Sequence, residues 1–146
     1  EGGCYGPVGA ECEAYIDPVG ELTIGYGHTM MANTLDFTMG DVWTEEFATD
    51  QLDIDIRQYW DAVDAAVTVP LNQCQLSVLT VWTYNVGSGA MRSSTLVRLL
   101  NQGNYDAVPP QLLRWNKGGG RVLRGLSIRR AAEGELWTSN CGDEPL

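Results

Sequence analysis

The sequence predicts an α+β fold that is mainly helical: a small β-hairpin lobe and a larger helical lobe, joined by a long helix, with a cleft between them. Three observations carry this expectation. A strand-turn-strand pattern occupies residues 15–26, an amphipathic stretch runs over residues 45–66, and a segment that is apolar almost all round covers residues 73–86. Their spacing over 146 residues suits a single domain, 1–146, divided into a hairpin lobe (1–43), a connecting helix (44–69) and a helical lobe (70–146).

Taken in order, Tyr15 and Ile16 read as strand, Pro18 to Glu21 as a turn and Leu22 to Tyr26 as the returning strand. An irregular stretch follows through Met30, Asn33 and Gly40. Thr44 is the predicted N-cap of a helix from Glu45 to Ala66, and Glu45 and Glu46 in its first turn suit the helix dipole. Within it Leu52, Ile56, Tyr59, Val63 and Ala66 form one apolar stripe. Pro70 ends the linkage, and Asn72 caps a second helix, Gln73 to Val86, whose Leu76, Val78, Leu79, Val81, Trp82 and Val86 mark it as the buried centre of the helical lobe. Ser93 or Ser94 caps a short helix through Leu99 and Leu100, closed by Gly103. Pro109-Pro110 predicts a break, Gly118-Gly119-Gly120 a turn, Ser127 to Trp137 the last helix, and Cys141 to Leu146 an acidic coil.

Composition narrows the classes. A hydrophobic content of 44% with five tryptophans is that of a folded chain rather than a disordered one. The longest apolar run, Val78 to Val86, is far short of the roughly 18 residues that span a bilayer. A net charge of −10 argues against nucleic acid as a partner. Four cysteines, Cys4, Cys12, Cys74 and Cys141, are an even count that suggests two disulfides and an oxidising destination, with three pairings possible; their spacings are not those of a zinc site, and no metal or cofactor is called for.

The chemistry concentrates in Asp17-Pro18-Val19-Gly20-Glu21-Leu22-Thr23-Ile24-Gly25-Tyr26-Gly27-His28-Thr29. Asp17 at the end of one arm and Thr23 early in the other can face one cleft, an arrangement suited to holding a water between a carboxylate and a hydroxyl. The plain alternative is a surface hairpin whose Asp starts a turn.

Glu1-Gly2-Gly3-Cys4-Tyr5, Glu13-Ala14-Tyr15-Ile16-Asp17, Gly20, Thr23 and Gly25-Tyr26-Gly27-His28-Thr29 resemble the start of the phage-type lysozymes, or endolysins, of glycoside hydrolase family 24. Tyr84-Asn85-Val86-Gly87, Arg92-Ser93-Ser94-Thr95-Leu96, Asn101-Gln102-Gly103, Arg114-Trp115-Asn116, Gly125-Leu126 and Arg129-Arg130 continue the likeness in family order. It implies a lysozyme-like fold and a muramidase that cleaves the β-1,4 bond between N-acetylmuramic acid and N-acetylglucosamine in peptidoglycan, by inversion. The nearest alternatives are a chitin or chitosan hydrolase and an inactive glycan-binding module of the same fold.

One departure shapes the site assignment. The family places its catalytic Glu nine positions before the Asp, where this chain has Val8. Treating the seven residues Gly6 to Cys12 as an inserted loop restores that interval to Glu1, with Cys4–Cys12 as the bridge closing the loop and Cys74–Cys141 tying the tail to the helical lobe. Glu1 is thus the expected acid, Asp17 and Thr23 its counterparts on the water; Glu11 and Glu13 are the rivals for the acid. The family has a helix before its Glu, which implies that the sequence begins inside a longer protein. The resemblance assigns His28, Tyr84 and Asn85 to the substrate cleft. It gives the matching His a mainly structural pairing with a carboxylate, for which Asp61 and Asp64 are candidates. It also implies that Arg129, with Arg130 as runner-up, pairs with the catalytic Glu.

The implied partner is the glycan strand of peptidoglycan, met by a monomer that is secreted or released on host lysis. Against an anionic wall the net charge predicts that the first added salt raises activity by screening repulsion, and that the optimum is acidic.

Overall fold

The structure is a computed structural model, and it describes residues 11–13, 15–16, 22–24, 28–29, 35–38 and 41–139. For the residues up to 29 and for Glu45 it describes the backbone alone. Packing divides the chain into two units, 1–57 and 58–146, and the division falls inside the long helix.

In the first unit, β2 (Tyr15–Ile16), β3 (Leu22–Ile24) and β4 (His28–Thr29) form an antiparallel sheet in that order. The expected antiparallel pairing of the two arms is present, and a third strand follows. A separate ladder joins β1 (Glu11–Glu13) to β5 (Val42–Thr44), with Cys12 opposite Trp43. Glu11 and Cys12 are therefore strand, not the end of an inserted loop; β5 supplies the partner that a local reading of the sequence lacks.

Beyond the sheet, Thr38 and Asp41 bond each other and three aromatic side chains form a row. Asp41 accepts from the Thr38 N–H at 2.8 Å and from its hydroxyl at 3.2 Å. Phe37 meets Trp43, and Trp43 meets Phe47, edge to face at 6.1 and 5.0 Å between centroids. Helix α1 spans Glu45–Ala66 as expected, and the Thr44 hydroxyl accepts the Phe47 N–H at 3.1 Å, one of the donors a helix start leaves open. Its inner face is shifted from the expected stripe: Ala48, Gln51, Asp55, Tyr59 and Val63 are buried, while Leu52 and Ile56 are only half-buried.

The second unit holds the main core. Helix α2 (Gln73–Val86) starts at a complete capping box, in which Asn72 and Gln75 each accept the other's backbone N–H. Trp82 is fully buried at its centre and packs edge to face on Trp115 at 5.5 Å. Around them gather Val63, Leu79, Met91, Leu96, Leu100, Val108 and Leu112. Helix α3 (Ser88–Arg92), not anticipated from the sequence, precedes α4 (Thr95–Asn101); of the two candidate caps for α4 it is Ser94 that accepts the Val97 N–H, at 3.1 Å.

After Gly103 (φ 86°) comes a 3₁₀ turn, Tyr105–Ala107, and then α5 (Val108–Leu112). Pro109 and Pro110 do not break a helix here. They occupy its first turn, where a missing N–H costs no hydrogen bond. Strands β6 (Lys117–Gly118) and β7 (Arg121–Val122) make a hairpin across Gly119 and Gly120, both with positive φ (61° and 79°), the conformation that glycine adopts without strain. Helix α6 (Arg124–Thr138) begins three residues before the expected start. It lies close against α5: a Cβ on Gly134 would stand 3.4 Å from the Pro109 Cβ.

Two polar ties hold the end of α1 within this unit. The Asn101 amide donates to the Ala66 carbonyl at 3.0 Å and accepts the Thr68 N–H at 2.8 Å, and the Tyr105 hydroxyl donates to the Pro70 carbonyl at 2.7 Å. Among the described residues no helix is long and apolar enough to cross a membrane.

Candidate functional site

The sheet of the first unit positions two of the expected residues. Thr23 is on the central strand, opposite Tyr15 on one side and Thr29 on the other, and His28 is opposite Ile24. Glu1, Asp17, Cys4 and Cys141 lie outside the described residues. The rival acids Glu11 and Glu13 are in β1, in register with Thr44 and Val42.

On the second unit, Tyr84 and Asn85 occupy the last turn of α2, which stops where the Gly87 N–H donates to the Thr83 carbonyl at 2.7 Å and the chain turns out at φ 95°. The two residues are not equivalent. Tyr84 is half-buried, its ring edge to face with Tyr59 at 5.4 Å, whereas Asn85 is exposed. The Asn85 amide offers both a donor and an acceptor, the pair needed to bond an acetamido group.

The carboxylate partners expected for His28, Asp61 and Asp64, are both exposed. The carboxylate that burial singles out on α1 is Asp55, fully buried and accepting from the Gln51 amide at 2.9 Å. Buried carboxylates are kept where hydrogen bonds or ion pairs compensate their desolvation. Sequence reasoning missed it because the apolar stripe was read one residue away from the true inner face. The signal was the spacing of Ala48, Asp55, Tyr59 and Val63.

The two arginines expected to pair with the catalytic Glu, Arg129 and Arg130, differ in burial. Arg129 is exposed, with no carboxylate of the described residues paired to it. Arg130 is fully buried and grips Glu133 with two contacts, Nη2 to Oε2 at 2.9 Å and Nε to Oε1 at 2.8 Å. Burial lowers the Arg130 pKa, opposed by the Glu133 charge; burial raises that of Glu133, opposed by Arg130 and Arg129. Leu126, Arg130, Glu133 and Trp137 repeat at helical spacing, so Trp137 marks the inner face of α6 and Arg130 falls on it.

Cys74 is buried and disulfide-bonded, with the Ser139 hydroxyl 3.9 Å from its sulfur.

Comparison with known proteins places the chain in a family. The family described as phage lysozyme matches residues 8–133, a span that contains Asp17, Thr23, His28, Tyr84 and Asn85 and opens after Glu1. The endolysin of Bacillus phage B103 is 41% identical over 115 residues, 79% of this chain, and the chain spans 42% of that relative's length. Two solved structures share the fold. The endolysin of Escherichia coli O157:H7 phage FAHEc1 has a TM-score of 0.76 at 34% identity, covering 93% of this chain and 88% of that one. The muramidase domain of SpmX from Asticaccaulis excentricus has a TM-score of 0.74 at 30% identity, covering 87% and 86%.

Proposed function

The chain belongs to the phage lysozyme family, and on that premise we propose that it is a muramidase hydrolysing the β-1,4 bond between N-acetylmuramic acid and N-acetylglucosamine in peptidoglycan. The observation that carries this reading is the family match over residues 8–133, a span that includes Asp17 and Thr23.

In this reading Glu1 protonates the leaving glycosidic oxygen, and Asp17 with the Thr23 hydroxyl orients the attacking water. Inversion needs the two carboxyls about 6.5–9.5 Å apart, with room for that water, whereas a retaining enzyme would need about 5–5.5 Å. Asn85 bonds the substrate's acetamido groups, with Tyr84 beside it. His28 keeps a structural role, and Asp55 replaces Asp61 and Asp64 as its carboxylate partner. The protein acts as a monomer, released on host lysis or secreted; the disulfide at Cys74 fits an oxidising destination.

Incubation with purified peptidoglycan sacculi and mass spectrometry of the products tests the proposal. Soluble fragments with a reducing N-acetylmuramic acid are the expected result. Cleavage of chitosan in place of sacculi, or binding to sacculi without any soluble product, would replace the muramidase reading with another hydrolase or with a binding module.

A further inference from the structure

The charges of this acidic chain are unevenly distributed. Residues 1–57 hold twelve of the nineteen carboxylates and one of the nine cations; residues 58–146 hold seven carboxylates and eight cations. From Ala107 to Ala132 there are six cations and no acid. Arg130 is occupied by Glu133, and the other five, Arg114, Lys117, Arg121, Arg124 and Arg129, are exposed and in no ion pair with a described residue.

The fold gathers four of them around one ribbon. In the β6–β7 hairpin Lys117 is opposite Val122 and Gly118 opposite Arg121. Opposed residues share a face and successive ones alternate, so Lys117 and Arg121 leave the ribbon on opposite sides. The Leu123 N–H donates to the Asn116 carbonyl at 2.9 Å, which extends the ribbon by one rung, and Arg124 opens α6 immediately after it. Arg114 is two residues before Asn116 on the other arm. The tip is bare: Gly119 and Gly120 carry no side chain and have open space around them. Val122 and Ile128, each 59% exposed, set apolar surface among the cations.

We propose that this ribbon and the start of α6 form a docking surface for the peptide stems of peptidoglycan, held through their carboxylates, with the apolar residues meeting the alanyl methyl groups. The proposal deepens the muramidase reading and rests on it. Spaced carboxylates on short stems fit a small cationic ribbon on a chain of net charge −10. A continuous polyanion, such as nucleic acid or a lipid surface, is disfavoured by the net charge of −10 as a whole.

The test is co-sedimentation of the full chain with purified sacculi, comparing wild type with the combined variant Arg114→Gln, Lys117→Gln, Arg121→Gln and Arg124→Gln, after circular dichroism has confirmed that the variant is folded. At about 0.05 M salt the variant should bind about tenfold more weakly, and the gap should close by about 0.5 M as screening removes the attraction. Sacculi whose carboxylates have been amidated should bind wild type no better than the variant. Equal binding of the two proteins to intact sacculi, undiminished binding of wild type to amidated sacculi, or preference of wild type for anionic phospholipid vesicles over sacculi would each overturn the proposal. Binding without hydrolysis would remove the muramidase reading and leave the docking surface standing. Hydrolysis with equal binding of both proteins would do the reverse.

Discussion

Arg130 and Glu133 remove a charge pair from water, and the direction of the Glu133 shift fixes a pH dependence. Because its folded pKa is raised, the folded chain binds that proton at a higher pH than the unfolded chain does. The contribution of Glu133 to stability is therefore fully present below the unfolded value of about 4.5 and is lost as pH rises through the folded pKa. Glu133→Gln removes that dependence, so the stability of wild type minus that of the variant should fall between pH 4.5 and pH 7; melts of both proteins at the two pH values measure it. Asp55→Asn and His28→Asn should each destabilise the chain, and if the two groups pair, a double-mutant cycle should give a coupling of roughly 0.5–3 kcal/mol. Additive losses would leave Asp55 held by Gln51 and others but not by His28. Asn101→Ala, which unbinds the Ala66 carbonyl and the Thr68 N–H, should cost about 1–2 kcal/mol in denaturant unfolding. At this scale the sequence was legible for residue type and less so for residue number. Neighbours on a helix point about 100° apart, so reading Leu52 for Gln51 puts the wrong side chain in the core.

Elements whose cause is local were readable. Thr44, Asn72 and Ser94 bond the backbone three residues ahead of themselves, and such a bond is written into a few consecutive letters. The elements that escaped depend on partners distant in sequence or are very short. Strand β1 exists through β5, some thirty residues on, and α3 is a five-residue turn of helix with no side-chain cap. Pro109-Pro110 was ambiguous in kind, since the same pair that stops one helix can start another. The disulfide belongs to this scale as well. Ser139 beside the Cys74 sulfur is two residues from Cys141, which favours Cys74–Cys141 and, with it, Cys4–Cys12. Closing so long a loop is worth about 4 kcal/mol in the chain-entropy picture, so Cys74→Ser should lose stability on that order. Non-reducing peptide mapping checks the pairing, and a fragment joining Cys74 to Cys4 or Cys12 would contradict it.

For the whole molecule, the net charge of −10 and the cationic ribbon act over different ranges. Screening shortens the reach of the net repulsion first, from about 30 Å at 0.01 M salt to about 10 Å at 0.1 M, and weakens close contacts later. Wall lysis by wild type should therefore rise and then fall with salt, while the four-site glutamine variant should keep the rise and lack the later fall; turbidity assays across a salt series distinguish the two. The lysozyme-like fold was legible because an ordered series of short motifs survives along the chain. The acid was not legible in the same way, because at its family spacing stands Val8, and Glu1 lies before the family match begins. The rate of muropeptide release from purified sacculi by wild type and by Glu1→Gln tests the catalytic acid itself. Release by wild type is expected, with a loss of roughly 10²–10⁴-fold in the variant and its melting curve unchanged. Full activity in Glu1→Gln would contradict that assignment and move the acid to Glu11 or Glu13.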